Sequence, residues 1–216
     1  MQRARRAEDK EIRRRVIMKA ALELIEERRF AEVKMIDVAR AAKLAKGTVF
    51  LYFPTKEALF TDILEELLVD WLSEVNEALD SGKGRWTSAR VARLITDSLV
   101  ARESFVRLLS MTSSVLERNI ELERVIGFKR RLRSFLASTG ERLERRLPFL
   151  KSGDGGHLII RVYAIVVGVK QLTDPGEVAR EALTRPDLQC LAFDFATELR
   201  SLLQVVLDGL DRQARG

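Results

Sequence analysis

The stretch from Lys34 to Lys56 gathers the residue types best suited to meet a polyanion. Lys34, Lys43, Lys46 and Lys56 supply ammonium groups, Thr48 and Tyr52 supply hydroxyls, and Gly47 lacks the Cβ that would keep a phosphate at a distance. Lys46 can reach guanine O6 and N7 or the nucleic-acid backbone, while Thr48 offers a hydroxyl to a phosphate and a methyl to a thymine. Lys56 falls in the first turn of an expected helix, where backbone N–H groups favour an anion. Elsewhere the chemistry is sparse. His157 is the single histidine, which leaves no histidine cluster for a metal and no Ser-His triad. "GDGG" at 153–156 lacks the spacing and the following lysine of a phosphate loop. We therefore expect no metal, no cofactor and no catalytic residues, although a carboxylate-only enzyme is left open by pattern alone. Cys190, the one cysteine, excludes an internal disulfide framework and reads as a small buried hydrophobe within an apolar run.

Charge sharpens the contrast between the two ends. Residues 1–60 hold 15 Lys and Arg against 9 Asp and Glu, whereas residues 61–216 hold 23 of each, so the net +6 lies wholly in the first sixty positions. A basic module on a neutral body is the footprint of a protein that docks on phosphates and releases their counterions. A solvated basic arm that only aids solubility would carry the same charge. Arg3, Arg5 and Arg6 precede the first helix on an expected flexible arm, which would either enter a minor groove or remain a solubilising tail.

The elements that must position these groups are all helical. Hydrophobic residues make up 46% and charged residues 32% of 216, with 4 Pro, which is the balance of a soluble helical chain with a sizeable core. No run reaches the 18 or so uncharged apolar residues of a membrane span, and we expect a cytoplasmic protein. Ile12, Val16, Ala20, Leu24 and Ile25 share one stripe of a helix over about 9–28. Met35 to Ala42 and Lys46 to Phe53 are short helices joined by Lys43, Leu44 and Ala45, and Pro54 closes the second. Thr55 caps a long helix to about residue 79, along Leu59, Phe60, Ile63, Leu64, Leu67, Leu68, Trp71, Leu72 and Val75. Two short helices on a three-residue turn, braced by longer ones, are the helix-turn-helix arrangement, whose second helix enters the major groove. Val49 and Phe53 read as its core, and Phe50 with Leu51 as an exposed apolar edge.

"IMKAALELIEERRF" followed by "IDVARAAKLAKGTVFLYFPTKEALF" resembles the DNA-binding domain of the TetR family of bacterial transcriptional regulators, with the G-T-x-x-x-Y-F-x-x-K-E-x-L-F spacing intact from Gly47 to Phe60. The resemblance covers about residues 11–70. It implies an all-α homodimer in which each N-terminal three-helix module reads half of a palindromic operator, and a larger C-terminal helical domain binds a small molecule that releases the DNA. By position, Lys46, Gly47, Thr48, Tyr52 and Lys56 match the family's DNA-contacting pattern. The departures lie where such proteins usually carry a threonine cap (here Lys34), an arginine (Ile36), a Gly-Val-Ser turn (Lys43, Leu44, Ala45) and a tyrosine (Phe50). Several neutral polar phosphate contacts are thus missing while Lys34 and Lys43 add charge, so we expect heavier reliance on nonspecific electrostatics and less on hydrogen-bonded positioning.

These readings place the DNA-binding domain at 1–55, with its motif at about 34–53, and a ligand-binding and dimerisation domain at 56–216, with 56–80 as the connecting helix. After a loop at "DSGKGRW", helices are expected at about 88–102, 105–117 and 121–146, the last with Val125, Phe128, Leu132, Phe135, Leu136 and Leu143 on one side. The segments 157–172 and 188–210 are apolar on more than one face, which predicts burial against the same pair of a second copy in a two-fold four-helix bundle, with Gly168 allowing close approach. Candidate linings for an effector pocket are Trp71, Phe105, Met111, Phe128, Phe135 and Tyr163, with Thr112, Ser113, Ser114 and Asn119 as polar anchors for an apolar or amphipathic ligand. An effector that swings the connecting helix would change the separation of the two half-site readers. The rival reading is a helical small-molecule-binding protein or enzyme whose N-terminal module only resembles a DNA reader.

Overall fold

The computed structural model describes the backbone of residues 2–112 and 121–216, with side chains from residue 8 onward. Ten α-helices and one short 3-10 turn account for the ordered elements among these residues, and no strand occurs among them. The order is α1 (Gln2–Glu27), α2 (Met35–Ala41), α3 (Lys46–Tyr52), α4 (Lys56–Ser81), α5 (Ser88–Val100), α6 (Glu103–Ser110), α7 (Leu122–Arg146), α8 (Asp154–Thr173), α9 (Glu177–Ala182), the 3-10 turn Gln189–Leu191, and α10 (Phe195–Arg215). The all-α class and the helix-turn-helix order are as the sequence predicts.

Contacts divide the chain into two compact units: Met1–Glu66 with Met111–Val125, and Leu67–Ser110 with Ile126–Gly216. Helices α4 and α7 each contribute residues to both.

The first unit is built on α1, α2, α3 and the start of α4. Ile17, Ala21, Ile25, Val38, Val49, Phe53, Leu59 and Phe60 are all fully buried in it, and Phe30 meets Phe60 edge-on at 5.1 Å between ring centroids. Each of the larger side chains among them contributes on the order of 1.5–3 kcal/mol by leaving water. Helix α1 is longer than its periodicity indicates, because its backbone is helical from Gln2 rather than an extended arm. Ile12 and Val16 are exposed, since α1 outruns the core; the buried stripe starts only at Ile17 and continues through Ala20, Ala21, Leu24 and Ile25. Thr55 caps α4 as predicted, its Oγ1 accepting the Ala58 N–H at 3.0 Å.

In the second unit α10 packs on α5 and α8, and α6 packs on α5 and α8. Trp71 donates from Nε1 to Ser98 Oγ at 2.9 Å, and Ser98 donates onward to the Ile95 carbonyl at 2.9 Å. Thr87 caps α5 by accepting the Arg90 N–H. Helix α8 begins at Asp154, earlier than the predicted 157, because Glu144 Oε1 accepts the N–H groups of Gly153 and Gly155 at 2.9 and 3.0 Å and so satisfies its first turn. By length and composition α8 is apolar enough to cross a membrane, yet it carries Arg161 and Lys170, and Leu158, Ile159, Val162, Val166 and Val169 are buried within the unit.

Three expectations change. Helix α6 ends at Ser110, and the remainder of the predicted helix to Glu117 lies outside the described residues from position 113. On α7 the buried face is Phe128, Thr139, Gly140 and Leu143, whereas Val125, Leu132, Phe135 and Leu136 are half-buried. The predicted helix from 188 is broken: residues 189–191 form the 3-10 turn, α10 starts at Phe195 behind the Asp194 cap, and Cys190 is exposed rather than buried because that turn packs none of its residues inward.

Candidate nucleic-acid interface

Helices α2 and α3 are too short to persist alone and depend on their buried faces. Val38 and Ala39 of α2 and Val49 of α3 point inward, with Phe53 closing the C-terminal end of α3. The turn between them is a left-handed C-cap. Leu44 N–H bonds to the Ala39 carbonyl at 2.9 Å and Lys43 N–H to the Arg40 carbonyl at 3.1 Å, the 6→1 and 5→2 pair of a Schellman motif. Lys43 therefore takes the position that favours glycine, and it is the one non-glycine with positive φ among the described residues, at 56°. The left-handed conformation strains a residue bearing a Cβ by about 1 kcal/mol.

Both caps at the N-terminal ends of these helices are depleted, as the sequence suggests. At α2 the Lys34 ammonium accepts nothing, but the Asp37 carboxylate accepts the Lys34 N–H at 3.2 Å, the half of a capping box that a lysine permits. At α3, Ala45 provides no side-chain acceptor.

The outward surface of this unit is cationic with an apolar centre. Lys34, Lys43, Lys46 and Gly47 are exposed, as are Ile36, Phe50 and Leu51, the last at 83%. Thr48 and Tyr52 are half-buried on the flank of α3. Lys46 Nζ lies 5.6 Å from the centre of the Phe50 ring. Arg40, which the sequence reading passed over, stands exposed one turn before Lys43 with only a 3.9 Å contact to Asp37. Its signal was its position on the polar side of α2, opposite Val38 and Ala39. Around Gly47 no atom lies within 4 Å of where a Cβ would stand. Neither internal packing nor backbone conformation requires a glycine there.

Lys56 is placed differently from the other lysines. Its Nζ donates to the Phe30 carbonyl at 2.8 Å and sits 4.2 Å from the Phe30 ring centre, so the ammonium ties the α1–α2 loop to α4. Burial lowers its pKa from the ordinary lysine value, against the opposing pull of Glu57.

The six candidate pocket residues are only partly brought together. Trp71 and Phe105 are buried in the second unit and pack ring against tilted ring at 5.7 Å. Phe128 is buried on α7, while Phe135 and Tyr163 are half-buried on α7 and α8. Met111 belongs by contacts to the first unit, beside buried Thr112. Ser113, Ser114 and Asn119 lie outside the described residues. Two surface grooves of the second unit, of about 670 and 750 Å³, are lined by none of the six; they flank Trp86, Thr87 and Ala89. Sequence periodicity also passed over Thr96 and Thr139, whose hydroxyls are wholly buried without a hydrogen-bond partner. No group of three or more His, Cys, Asp or Glu suited to a metal occurs among the described residues.

Comparison with known proteins agrees with this geometry. The profile of bacterial regulatory proteins of the tetR family matches residues 17–63, and that of the tetracyclin repressor-like C-terminal domain matches residues 65–214. The chain is 28% identical over 105 residues to YvdT of Bacillus subtilis, an uncharacterised HTH-type transcriptional regulator, a match spanning 49% of this chain and 54% of that one. It thus aligns with about half the length of that relative. Among solved structures, a transcriptional regulator from Rhodococcus sp. RHA1 superposes with a TM-score of 0.60 at 16% identity, covering 90% of this chain and 94% of the other. The regulator FadR of Bacillus subtilis in complex with stearoyl-CoA superposes with a TM-score of 0.54 at 19% identity, covering 90% and 97%. At these identities the likeness is one of fold.

Proposed function

The chain belongs to the TetR family of bacterial regulatory proteins, and from that premise we propose that it is a cytoplasmic transcriptional repressor that binds a palindromic DNA operator as a homodimer and is released by a small apolar effector. The observation that carries the DNA reading is the α2–turn–α3 unit, with Lys34, Arg40, Lys43, Lys46 and Gly47 all exposed outside a buried Val38, Ala39, Val49 and Phe53. The ammonium groups neutralise phosphates, Lys46 and Thr48 meet base edges, and Phe50 and Leu51 press an apolar edge toward thymine methyls. Gly47, with open space where a side chain would stand, lets the start of α3 approach the DNA backbone. Tyr52 adds a phenol at the flank of α3, and Lys56 stiffens the frame rather than leading the contact.

The dimer joins α8 and α10 to the same pair of a second copy. Ile160, Leu172, Leu202 and Val205 are exposed large apolar residues on these helices, and no atom lies within 4 Å of a Cβ built on Gly168. Such a two-fold body sets the recognition helices about one DNA turn, roughly 34 Å, apart. An effector pocket within the second unit draws on Trp71, Phe105, Phe128, Phe135 and Tyr163. The unpartnered hydroxyls of Thr96 and Thr139 are suited to orient a ligand's polar end. FadR of Bacillus subtilis holding stearoyl-CoA on the same fold is in keeping with an apolar ligand.

Selection of bound sequences from random duplex DNA tests the proposal. A palindrome with half-sites one helical turn apart is the expected product. Absence of any enriched sequence, with no salt-dependent retention on duplex DNA, would favour a helical ligand-binding protein instead.

A further inference from the structure

Asp62 on α4 holds two arginines from distant parts of the chain, one on each carboxylate oxygen. Arg14 of α1 donates from Nη2 to Oδ2 at 3.0 Å, and Arg124 at the start of α7 donates from Nη1 to Oδ1 at 2.7 Å. The Asp62 side chain is 16% exposed, so water screens these pairs less than it screens the surface pairs elsewhere. Arg14 does not stop there. Its Nη1 reaches Glu66 at 3.1 Å, and its guanidinium carbon stands 5.8 Å from the centre of the Phe53 ring, the residue that terminates α3. A chain of direct contacts thus runs from Arg124 through Asp62 and Arg14 to the end of the recognition helix.

The helices involved give this chain its meaning. Helices α4 and α7 both continue from the first unit into the second. The second unit contains an equivalent tie, Arg142 of α7 to Asp80 of α4 at 2.8 Å, and the two partners are again 62 positions apart, as Asp62 and Arg124 are. An Arg–Asp pair thus joins α4 to α7 within each unit. Within the first unit, a shift of the start of α7 along α4 has to strain or break the clamp at Asp62, which hands that strain to α1 and Phe53.

We infer that Asp62 is the positioning residue of the DNA-reading unit, setting the seat of α3 through Arg14 and placing it under the control of α7 through Arg124. The inference rests on the repressor reading for its biological sense, but the coupling itself is a property of the free protein. A packing-only role for the cluster predicts a loss of stability with no selective effect on α3. A positioning role predicts that removing Arg124 loosens α3 and weakens operator binding without removing any phosphate contact.

The test uses the full-length protein in four forms: wild type, Arg124→Met, Arg124→Lys and Asp62→Asn. Amide hydrogen exchange over residues 46–52 is read in the free protein, and operator affinity is measured against salt with the palindrome recovered by selection. Arg124→Met is expected to speed α3 exchange and weaken operator binding, each roughly fivefold, with the salt slope unchanged. Arg124→Lys, which keeps the charge, should recover most of both effects, and Asp62→Asn should exceed Arg124→Met because it releases both arginines. Unchanged α3 exchange in Arg124→Met, with the variant folded, overturns the inference even if DNA binding holds. Faster exchange in a protein that binds no duplex DNA upholds the coupling and overturns the repressor reading instead.

Discussion

Gly140 of α7 and Gly155 of α8 meet backbone against backbone. A Cβ on Gly140 would lie 2.5 Å from the Gly156 nitrogen, and one on Gly155 would fall on the Gly140 carbonyl itself. The atoms in the way are main chain, so no side chain can rotate aside to make room. Gly155→Ala is therefore expected to force the helices apart and destabilise the protein by about 1–3 kcal/mol, as overpacking does. Thermal unfolding followed by circular dichroism checks this, with Gly47→Ala, where the space is open, as the control that should not lower the melting temperature.

Gly47 predicts the opposite separation. With nothing near its missing Cβ, Gly47→Ala should keep or raise stability by up to about 1 kcal/mol through better helix propensity. Operator affinity should fall at the same time, because the added methyl keeps the DNA backbone away. A melting curve and a binding isotherm on one preparation decide the matter; an alanine variant that binds as well as wild type would show that no close approach occurs there.

Lys43 ties backbone strain to charge. Lys43→Gly relieves the left-handed φ of 56° and should stabilise the protein by about 1 kcal/mol. The same change removes a cation from the exposed surface around α2 and α3. Combined removal in Lys34→Ala, Lys43→Ala should lower the magnitude of the slope of log affinity against log salt by about 2, at about 0.9 per phosphate contact. An unchanged slope would place both lysines away from the phosphates.

Asp194 makes the start of α10 sensitive to acid. The Thr197 hydroxyl and N–H both donate to its carboxylate and hold its pKa below the usual carboxylate value. A depressed carboxylate stabilises the fold above its unfolded pKa, and that contribution is lost as pH falls through the folded value. Wild type should therefore lose stability relative to Asp194→Asn as the pH is taken below about 4. Denaturant unfolding of both proteins across pH 3–7 measures the difference.

Much of the reader was legible in the residues because its determinants are local. Pro54 stops α3, Thr55 caps α4, and Val49 with Phe53 repeat at helical spacing; each acts within one turn of where it stands in sequence. The partnership of Lys56 with Phe30 was not legible, since it joins residues 26 positions apart and depends on how the α1–α2 loop folds back. Ile12 and Val16 misled for a related reason: periodicity reports which side of a helix is apolar and not how far the neighbouring elements extend along it. Cys190 shows the same limit, because an apolar run such as "LQCLAF" reads as buried until a 3-10 turn breaks its helical register. Trp71 and Phe105, whose apolar character is plain in sequence, pack on each other in the core, but Thr96 and Thr139 give no sign in sequence that their hydroxyls will be sealed without partners.

Both tryptophans of the chain, Trp71 and Trp86, belong to the second unit. Trp71 gives its indole N–H to Ser98, and Trp86 carries the Arg90 guanidinium 4.1 Å from its ring centre. The protein consequently carries its tryptophan label on one unit alone. A change in its ultraviolet emission on adding a small molecule reports events around Trp71 and Trp86. The first unit holds no tryptophan, so a change in tryptophan emission on adding DNA alone would record a signal that has travelled from the first unit to Trp71 and Trp86.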